Sequence, residues 1–547
     1  MWQLRSLREY PRCLIAQLSP PCCKTRCYLG CNSIVGKDEK HSEQRTVLHS
    51  PIDKDPLTPP RGCSGISISK EWILTHGAAL DSIIDKSRVI SSFIMNMIPG
   101  ELSMVPRELT SKLKFRAYRE LAIDDESRRS AIQEHDGTIV AAWWCPLLKK
   151  AFDEFFKTWS FPKSTEFDRS LRPIFLLIRI YDSDESVVEI PTVEQALSCL
   201  LDQTPRNHTR GSSVEIESTP FSNPVFIGSI ARGVISNVIG DEDCIITTDA
   251  YAFPGGEGGP VYVIPTNCKS RIISGMVIAP LSWCRGEWVD YTFAANLTPC
   301  LLNILRKKDL SRPSIMDHAY YEDADALDRG VVLVRCGINW GTGVLVDKDT
   351  GTFLTCSHVV AEAPEREISI VMRTNEPNSR VNAKLLYRTP ENQPYDIAVL
   401  KVDSQDVDPW LRPIRLSDAP ILKGEPVVSI GFPFSSTIRP TISGGVVSKS
   451  MDCALLTTCC VQSGTSGGPI VSRVTGDMLG IVVCNVVSSD GNVLYPRMSL
   501  AVPATTLSGP LREYLRTDNP DVLRTFTSSD AVVRKIWDFY PFLLSKL

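Results

Sequence analysis

One turn occurs twice in this chain, as Gly-Gly-Pro preceded by a single variable residue. It reads PGGEGGPVYVI at 254–264 and SGTSGGPIVSR at 463–473, with Glu257 and Ser466 as the variable residues. Other matches keep a common order around the two turns: ARGVISNV (231–238) with SGGVVSKS (443–450), FAANL (293–297) with LAVPA (500–504), and CLLNILR (300–306) with PLREYLR (510–516). Single short patterns recur by chance, but several in one order indicate that the chain contains the same domain twice.

The segments between these landmarks predict β-structure. Short runs rich in β-branched residues alternate with Gly, Asn, Asp and Pro, which is typical of all-β barrel domains. CLLNILR and PLREYLR each carry leucines four residues apart, so each copy is predicted to end in a helix. We therefore predict an all-β fold of tandem domains, each built from two β-barrels and closed by a C-terminal helix.

Composition and spacing set the predicted domain limits. These are a flexible N-terminal arm at 1–49, the first copy at 50–310, a linker at 311–327, the second copy at 328–515 and a C-terminal tail at 516–547. The first copy is longer than the second, and a charged segment at about 106–135 indicates a helical insert there.

The bulk composition restricts the partners of the protein. Of 547 residues, 43% are hydrophobic and 22% are charged, and the formal net charge is −4, so nothing favours a nucleic acid partner. No apolar stretch approaches the roughly 18 residues that a membrane-spanning helix needs. We expect no membrane-spanning segment. Whether the protein forms a homo-oligomer is a question that the composition leaves open.

The 18 cysteines are scattered along the chain without a secretory signal, which indicates reduced thiols. One N-terminal group is closely spaced: Cys22, Cys23, Cys27 and Cys31. These residues lack the paired spacing and the histidine of a zinc site, so we expect no metal and no cofactor.

The chain ends in Ser545, Lys546 and Leu547. A C-terminal Ser-Lys-Leu is the address that the import receptor of the peroxisomal matrix reads. The sequence therefore predicts a peroxisomal matrix protein with that receptor as a partner. The basic N-terminal stretch, which extends to Arg26, leaves a mitochondrial leader as the weaker alternative.

The second copy contains the parts of a nucleophilic hydrolase. A serine hydroxyl needs a base, a group that orients the base, and donors for the oxyanion. His358 in FLTCSHVV is the predicted base, Asp396 in YDIAVLKV the orienting acid, and Ser466 in QSGTSGGPI the nucleophile. The glycines around Ser466 allow the N–H groups of Gly464 and Ser466 to converge as an oxyanion hole. The order His, Asp, Ser along the chain is that of chymotrypsin-type proteases.

A cysteine protease is the alternative that the nearby thiols of Cys356, Cys459 and Cys460 suggest. It is disfavoured because the position between the glycines holds Ser466, and a thiol elsewhere lacks the oxyanion donors.

The motifs of the second copy resemble a known family. FLTCSHVV, YDIAVLKV, SIGFPF, GGVVS, SGTSGGPI, MLGIV and LAVP look like the protease domain of the trypsin-like HtrA/Deg serine proteases and cover nearly all of 331–507. HtrA-type chains usually carry PDZ domains, and the tail is too short for one. A doubled chain with an inactive first half and a terminal Ser-Lys-Leu is similar to the peroxisomal members of this family. That resemblance implies a chymotrypsin-like fold, removal of N-terminal targeting leaders from imported enzymes, trimming of fatty-acid β-oxidation enzymes, and cleavage near cysteine.

Part of the specificity follows from the residues themselves. A trypsin-like preference for Lys or Arg needs a carboxylate shortly before the nucleophile, and LLTTCCVQSGT (455–465) contains none. Cys459, Cys460 and Gln462 predict a neutral pocket that takes a small or thiol-bearing side chain. Self-cleavage is also an expectation, with the WWCP stretch at Cys145 as one conceivable site.

The first copy keeps the turn but not the nucleophile. Glu257 replaces the serine, His76 is the predicted remnant of the base, and Asp168 is the nearest acid ahead of an apolar strand. We expect a degenerate domain that serves as a scaffold, with a new acid chemistry at Glu257 and His76 as the weaker alternative.

Three functions remain in competition from the sequence alone. The leading hypothesis is a peroxisomal serine endoprotease that processes imported precursors. The others are a general quality-control protease and a non-catalytic, chaperone-like pseudoprotease, which is disfavoured because the second copy has every catalytic part.

Overall fold

A computed structural model describes most of the chain. It covers residues 26–33, 62–84, 87–110, 113–120, 132–161, 166–181, 190–265, 271–284, 287–306, 324–363, 365–372, 379–391, 393–433, 439–487 and 494–537. Among these residues, no helix has both the length and the apolar character needed to cross a bilayer.

The first copy begins with a ring of antiparallel strands. The strands up to residue 181 are β1 (Arg26–Ser33), β2 (Gly62–Ser67), β3 (Trp72–His76), β4 (Ser103–Met104), β5 (Leu113–Glu120), β6 (Ile132–Trp144), β7 (Trp159–Ser160) and β8 (Ile174–Tyr181). The pairings run β1–β2–β3–β8–β6–β5 and return to β1, and β4 adds to the edge of β6.

A closed barrel completes the first copy. Its region contains β9 (Ser213–Ser218), β10 (Ser229–Ile239), β11 (Ile245–Thr248), β12 (Pro260–Val263), β13 (Ile272–Ala279), β14 (Ser282–Cys284), β15 (Glu287–Val289) and β16 (Thr292–Asn296). The barrel order is β10-β11-β16-β13-β12-β9. The hairpin β14–β15 stands outside the barrel and forms a small sheet with β7.

The second copy consists of two closed barrels with the same pairing order as the first. The strands are β17 (Val331–Cys336), β18 (Asn339–Asp347), β19 (Thr352–Cys356), β20 (Ile368–Val371), β21 (Arg380–Arg388), β22 (Ile397–Lys401), β23 (Pro426–Gly431), β24 (Thr441–Met451), β25 (Ala454–Thr457), β26 (Pro469–Ser472), β27 (Met478–Val487) and β28 (Leu494–Pro503). The orders are β17-β18-β19-β22-β21-β20 and β23-β24-β25-β28-β27-β26. The predicted all-β fold of tandem double barrels is confirmed.

Helices occupy the ends of the copies and the insertions of the first. They are α1 (Asp81–Ile84), α2 (Arg88–Met95), α3 (Arg107–Thr110), α4 (Pro146–Phe155), α5 (Glu166–Leu171), α6 (Val193–Asp202), α7 (Leu297–Leu305), α8 (Ala324–Asp328), α9 (Ala504–Thr517) and α10 (Ala531–Trp537). The predicted closing helices are present as α7 and α9. Asn296 caps α7, because its side chain accepts from the Thr298 N–H.

The predicted helical insert at 106–135 is wrong. Of the residues described in this segment (106–110, 113–120 and 132–135), only the single turn α3 is helical, and β5 and β6 pair with each other in the first ring. Charged residues alternate along β5 and the start of β6, which is the pattern of a half-exposed strand rather than of a helix. The longer helices of the first copy, α4 and α6, lie further along the chain.

The N-terminal strand differs from the prediction of a flexible arm. β1 lies between β2 and β5 and is a strand of the first ring, so the 49/50 limit separates a strand from its own barrel. The side chains of the four N-terminal cysteines, most of the linker and residues 545–547 lie outside the described residues. The other predicted limits therefore stay predictions.

The two copies pack against each other through β10 and β24, next to a buried carboxylate. Asp249, 1% exposed, accepts hydrogen bonds from the Val234 N–H of its own copy (2.7 Å). It also accepts from the Ser443 hydroxyl (2.9 Å) and the Gly444 N–H (2.7 Å) of the second copy. Burial raises the pKa of the Asp249 carboxyl, and the two N–H donors oppose that rise. The carboxylate ties the copies together.

The segment after α9 packs on the catalytic half rather than standing apart as a tail. Leu523, Phe526 and Trp537 are buried within the core cluster of the second copy. The Trp537 indole N–H donates to the Cys453 carbonyl (3.0 Å), and its ring meets Tyr395 edge-on at 5.6 Å. Residues 520–537 are therefore part of the folded domain.

Replacing Trp537 with Ala is expected to destabilise the protein by about 3–5 kcal/mol, because a large buried side chain leaves a cavity. Thermal unfolding of the full chain measures the effect. Val532→Ala, on the exposed side of the same helix, is the matched control and should change stability by roughly 0.5 kcal/mol or less. Equal unfolding midpoints for the two variants would show that α10 is not part of the core.

Candidate active site

Each predicted site residue lies at the end of a strand, where the two barrels of the second copy meet. His358 begins a short 3-10 turn directly after β19, and Asp396 immediately precedes β22. These strands are neighbours, with Cys356 opposite Ile397 in the register. Ser466 lies in the turn that precedes β26 of the other barrel.

The structure brings His358 and Asp396 into direct contact. The His358 Nδ1 and the Asp396 Oδ2 are hydrogen-bonded, and the second carboxylate oxygen accepts from the His358 backbone N–H at 2.9 Å. Tyr395 and Asp396 both have positive φ, 80° and 49°. L-residues rarely adopt this conformation, so the backbone is strained to direct the carboxylate at the imidazole. The orientation leaves Nε2 as the nitrogen that can exchange a proton with a nucleophile.

The turn around Ser466 depends on glycines. Gly464 and Gly467 have φ of +97° and +86°. A Cβ on Gly464 would lie 2.3 Å from the Phe432 carbonyl oxygen, so no other residue fits. Thr342 anchors the turn, because its hydroxyl donates to the Gly464 carbonyl (2.7 Å) and its N–H donates to the Ser466 carbonyl (2.8 Å).

Two backbone donors of this turn are unused. In the part of the chain that the structure describes, neither the Gly464 N–H nor the Ser466 N–H donates a hydrogen bond. Unpaired N–H groups are costly when no acceptor is supplied, so a pair in one turn indicates a place for an external oxygen. Two such donors in one turn are what an oxyanion hole requires, and the assignment of Gly464 and Ser466 to that role stays a prediction.

The Ser466 hydroxyl donates to the Val483 carbonyl on β27 at 2.9 Å. The adjacent Val482 carbonyl accepts from the thiol of Cys356, two residues before His358 (3.2 Å). Strand β27 therefore connects the nucleophile turn with the strand that carries the histidine.

Cys356 also lies near His358 and Asp396, with the ligand atoms of all three residues within 4.8 Å of one another. Metal binding at this cluster requires a thiolate. Burial raises the pKa of the Cys356 thiol well above its usual value, and Asp396 raises it further. In this structure the thiol is a hydrogen-bond donor to the Val482 carbonyl.

In the first copy a carboxylate occupies its own oxyanion position. Gly255 and Glu257 stand where Gly464 and Ser466 stand in the second copy, and the Gly255 N–H donates to the Glu257 Oε2 at 2.8 Å. Ser64 takes the place of Thr342, since its N–H donates to the Glu257 carbonyl (2.8 Å). The negative charge sits where a substrate oxyanion would need to bind.

The expected equivalence of His76 and His358 is wrong. Leu74 pairs with Leu177 on β8, as Leu354 pairs with Val399 on β22. Counting from these pairs, His76 corresponds to Cys356, while Ala78 and Ile174 occupy the positions of His358 and Asp396. The prediction was wrong because both histidines follow a Leu-Thr pair but at different distances. The histidine comes directly after Thr75 in the first copy, whereas Cys356 and Ser357 separate it from Thr355 in the second.

The ring of His76 serves the fold instead. Its Nδ1 accepts from the Ala78 N–H (3.2 Å), and its Nε2 lies 2.9 Å from the Arg172 carbonyl. Asp168, the acid proposed beside it, is in α5 rather than at the head of β8. Among the residues that the structure describes, no His–Asp pair lies at Glu257, so His76 is not the base of the alternative acid chemistry there.

The cysteines predicted for the specificity pocket are buried. Cys459 lies inside the second barrel against Gly445, and the Cys460 thiol donates to the Asp290 carbonyl of the first copy (3.4 Å). Burial raises the pKa of Cys459 to about 12. Cys145, the conceivable self-cleavage site, is 1% exposed at the start of α4 and is not presented to a protease in the folded protein.

Two contributors to the site were missed from the sequence. Thr342 is one, and the sequence signal that could have identified it is the matching Ser64 ahead of the turn in the first copy. Glu287 accepts from the Ser463 hydroxyl at 2.6 Å, three residues before the nucleophile. It lies 176 residues away in the chain, and no sequence motif marks it.

The His76 ring predicts a pH dependence of stability. Burial lowers its pKa to about 4, from the 6.5 of the unfolded chain. Between these pH values the unfolded chain binds a proton that the folded chain does not, so stability falls as pH decreases through this window, by up to about 3 kcal/mol. His76→Asn keeps an acceptor for the Ala78 N–H but cannot titrate, so its unfolding midpoint should fall less between about pH 6.5 and 4.

His208 provides the internal reference for that measurement. Burial also lowers its pKa to about 4, and it is present in both proteins, so it adds the same pH dependence to each. Identical pH profiles for the wild type and His76→Asn would contradict the buried neutral imidazole.

Comparison with known proteins agrees with this geometry. Residues 341–481 match the family described as trypsin-like peptidase domain. The human peroxisomal leader peptide-processing protease is 29% identical over 430 residues, 72% of this chain and 73% of the relative. The mouse protein of that name is 30% identical over 58% of this chain and 57% of the relative. The periplasmic serine endoprotease DegP of Escherichia coli is 25% identical over 32% of this chain and 36% of its own length.

The matched residues 341–481 include His358, Asp396 and Ser466, and these relatives are named as proteases, DegP as a serine endoprotease. The chain is therefore a serine peptidase with a trypsin-like peptidase domain.

Proposed function

We propose that this protein is a serine endoprotease of the peroxisomal matrix that removes N-terminal targeting leaders from imported proteins and trims β-oxidation enzymes. The observation that carries the proposal is the joint presence of the His358–Asp396 pair and the two unused N–H groups beside the Ser466 hydroxyl. Together they supply a base, a nucleophile and an oxyanion hole.

Acylation starts at the hydroxyl of Ser466. The hydroxyl leaves the Val483 carbonyl by rotation about its Cα–Cβ bond and donates to Nε2 of His358. As the oxygen attacks the scissile carbonyl carbon, His358 takes its proton. Asp396, which accepts from Nδ1–H, holds the ring in the required tautomer and stabilises the imidazolium.

The oxyanion hole then supplies the main electrostatic stabilisation. The N–H groups of Gly464 and Ser466 donate to the negative oxygen of the tetrahedral intermediate. His358 returns the proton to the leaving amine, which gives an acyl-enzyme on Ser466. The leaving amine is the new N-terminus of the mature protein, which departs at this step. A water molecule, deprotonated by His358, then attacks the acyl carbonyl carbon, and the leader leaves with a free carboxylate while the Ser466 oxygen regains its proton.

The first copy supplies none of the reacting groups under the proposal. Its positions hold Ala78, Ile174 and Glu257, so base, acid and nucleophile are all missing. Its role is that of a scaffold docked on the catalytic half.

The peroxisomal part of the proposal has two supports. The terminal Ser545-Lys546-Leu547 is the matrix address that the import receptor recognises. The human and mouse relatives are named for the processing of peroxisomal leader peptides. Imported precursor proteins are then the substrates, and the receptor is a transient partner.

Ser466→Ala should abolish peptide hydrolysis and labelling by a fluorophosphonate probe, because the probe reacts only with an activated serine. The residual rate should be lower by at least about 10³-fold. Glu257→Ala is the matched control at the equivalent turn of the first copy and should keep the wild-type rate. If Glu257→Ala lost activity while Ser466→Ala kept it, the active site would lie in the first copy, and our assignment to the second copy would be wrong.

Substrate class is tested by offering purified enzyme a leader-bearing precursor and unfolded casein at equal concentration. The leader-bearing protein should be cut at one site near its N-terminus, and the Ser466→Ala protein should cut neither. Mass spectrometry of the products locates the bond. Casein digested as fast, at many sites, would favour the quality-control protease over the processing enzyme.

A further inference from the structure

The hairpin β14–β15 of the first copy reaches the nucleophile turn of the second. It carries Trp283 opposite Trp288 and Cys284 opposite Glu287. The two indoles meet edge-on at 5.1 Å, and β7 pairs with the other edge of β14. Aromatic cross-strand packing and a third strand make the hairpin a supported element rather than a free loop.

The end of the hairpin and the residues after it make three contacts with the segment leading to Ser466. The Ser463 hydroxyl donates to the Glu287 carboxylate at 2.6 Å. The Gln462 amide, in the orientation that satisfies both neighbours, donates to the Trp288 carbonyl (3.0 Å) and accepts from the Asp290 N–H (3.2 Å). The Cys460 thiol donates to the Asp290 carbonyl. Residues 460–463 are thus bound along their length by residues 287–290 of the other copy.

The contact at Ser463 bears on the oxyanion hole. The N–H of Gly464 belongs to the peptide bond that joins Ser463 to Gly464. Gly464 has φ of +97°, in a region where glycine changes conformation at little cost. Thr342 restrains this peptide from the C-terminal side, through the Gly464 carbonyl. Glu287 restrains it from the N-terminal side, through Ser463.

The chemistry of the contact favours a positioning role. A hydroxyl bound to a carboxylate makes a charge-assisted hydrogen bond, which is shorter and stronger than one between neutral groups. Glu287 is only half-buried and makes this bond to a turn that must hold two N–H groups toward one point. The first copy needs no such bond for its own fold, because Glu287 is outside its barrel.

We propose that Glu287 is a positioning residue for catalysis: the degenerate copy supplies, through the Glu287–Ser463 hydrogen bond, the restraint that keeps the Gly464 N–H directed into the oxyanion hole of the catalytic copy. This inference rests on the proposed serine protease function and goes beyond it, because it gives the inactive half a defined part in the active site.

Glu287→Ala and Ser463→Ala in the full chain test the inference. Each should lower kcat about tenfold with little change in KM, because the oxyanion donors act on the transition state rather than on bound substrate. The rate of fluorophosphonate labelling should fall similarly, since the tetrahedral adduct uses the same donors. The double variant should be no slower than either single variant, because both changes remove one bond.

Two further variants separate positioning from folding. Glu287→Gln keeps a carbonyl oxygen that Ser463 can donate to, so it should recover part of the lost rate. Glu101→Ala is the matched control, since Glu101 is an exposed carboxylate of the first copy whose partner is Arg306 (3.1 Å) rather than a residue of the turn. It should keep the wild-type kcat. Thermal unfolding of every variant is measured in parallel.

The outcomes are distinct. Three outcomes overturn the inference and leave the protease function standing. The first is a wild-type labelling rate in Glu287→Ala and Ser463→Ala, and the second is a loss of rate in the double variant that equals the product of the two single losses. The third is a loss of rate in Glu101→Ala as large as that in Glu287→Ala. If Glu287→Ala lowers the unfolding midpoint, its lower kcat can reflect poor folding, and the kcat of Ser463→Ala becomes the test. A wild-type kcat in Ser463→Ala then overturns the inference. A wild-type chain that is neither labelled at Ser466 nor active on any peptide overturns the proposed function, and this inference with it.

Discussion

A carboxylate buried between the two copies makes them a single body. Asp249 receives two donors from the second copy, Ser443 and Gly444, in the middle of the interface. Ser443 in turn accepts from the N–H of Cys460 at 2.8 Å, at the start of the segment that leads to the nucleophile. Removing these partners would leave a buried charge uncompensated, which is strongly unfavourable. The contact of the hairpin with the nucleophile turn is possible only because this docking is fixed.

The two copies show that the turn geometry of a protease can be kept without its catalytic residues. Both keep the glycine turn with the same anchoring bond, from Thr342 to Ser466 in one and from Ser64 to Glu257 in the other. The turn is maintained by backbone geometry and by a Ser/Thr side chain that satisfies it, and neither depends on a nucleophile. Catalysis adds the strained Tyr395–Asp396 backbone and the His–Asp pair of the second copy, where the first copy has Ile174 and Ala78.

The sequence predicted the features that are local or repeated. Ser466, His358 and Asp396 were identified because each occurs in a motif at the end of an apolar strand, and the pairing of β19 with β22 follows from such a fold. The errors arose where the strand register determines the answer. His76 resembles His358 in its local sequence, but the register places it two positions before the counterpart of His358. The charged hairpin β5–β6 was predicted to be a helix. Glu287 had no local signal at all, because its partner lies in the other copy and only tertiary packing brings them together.

The carboxylate of Glu257 also makes the inactivation of the first copy hard to reverse. Restoring a serine at that one position would return a hydroxyl with no imidazole and no acid near it, since Ala78 and Ile174 fill their places. A catalytic triad at this site therefore requires changes at all three positions, Ala78, Ile174 and Glu257. As it stands, this half of the protein is confined to roles that need no nucleophile of its own.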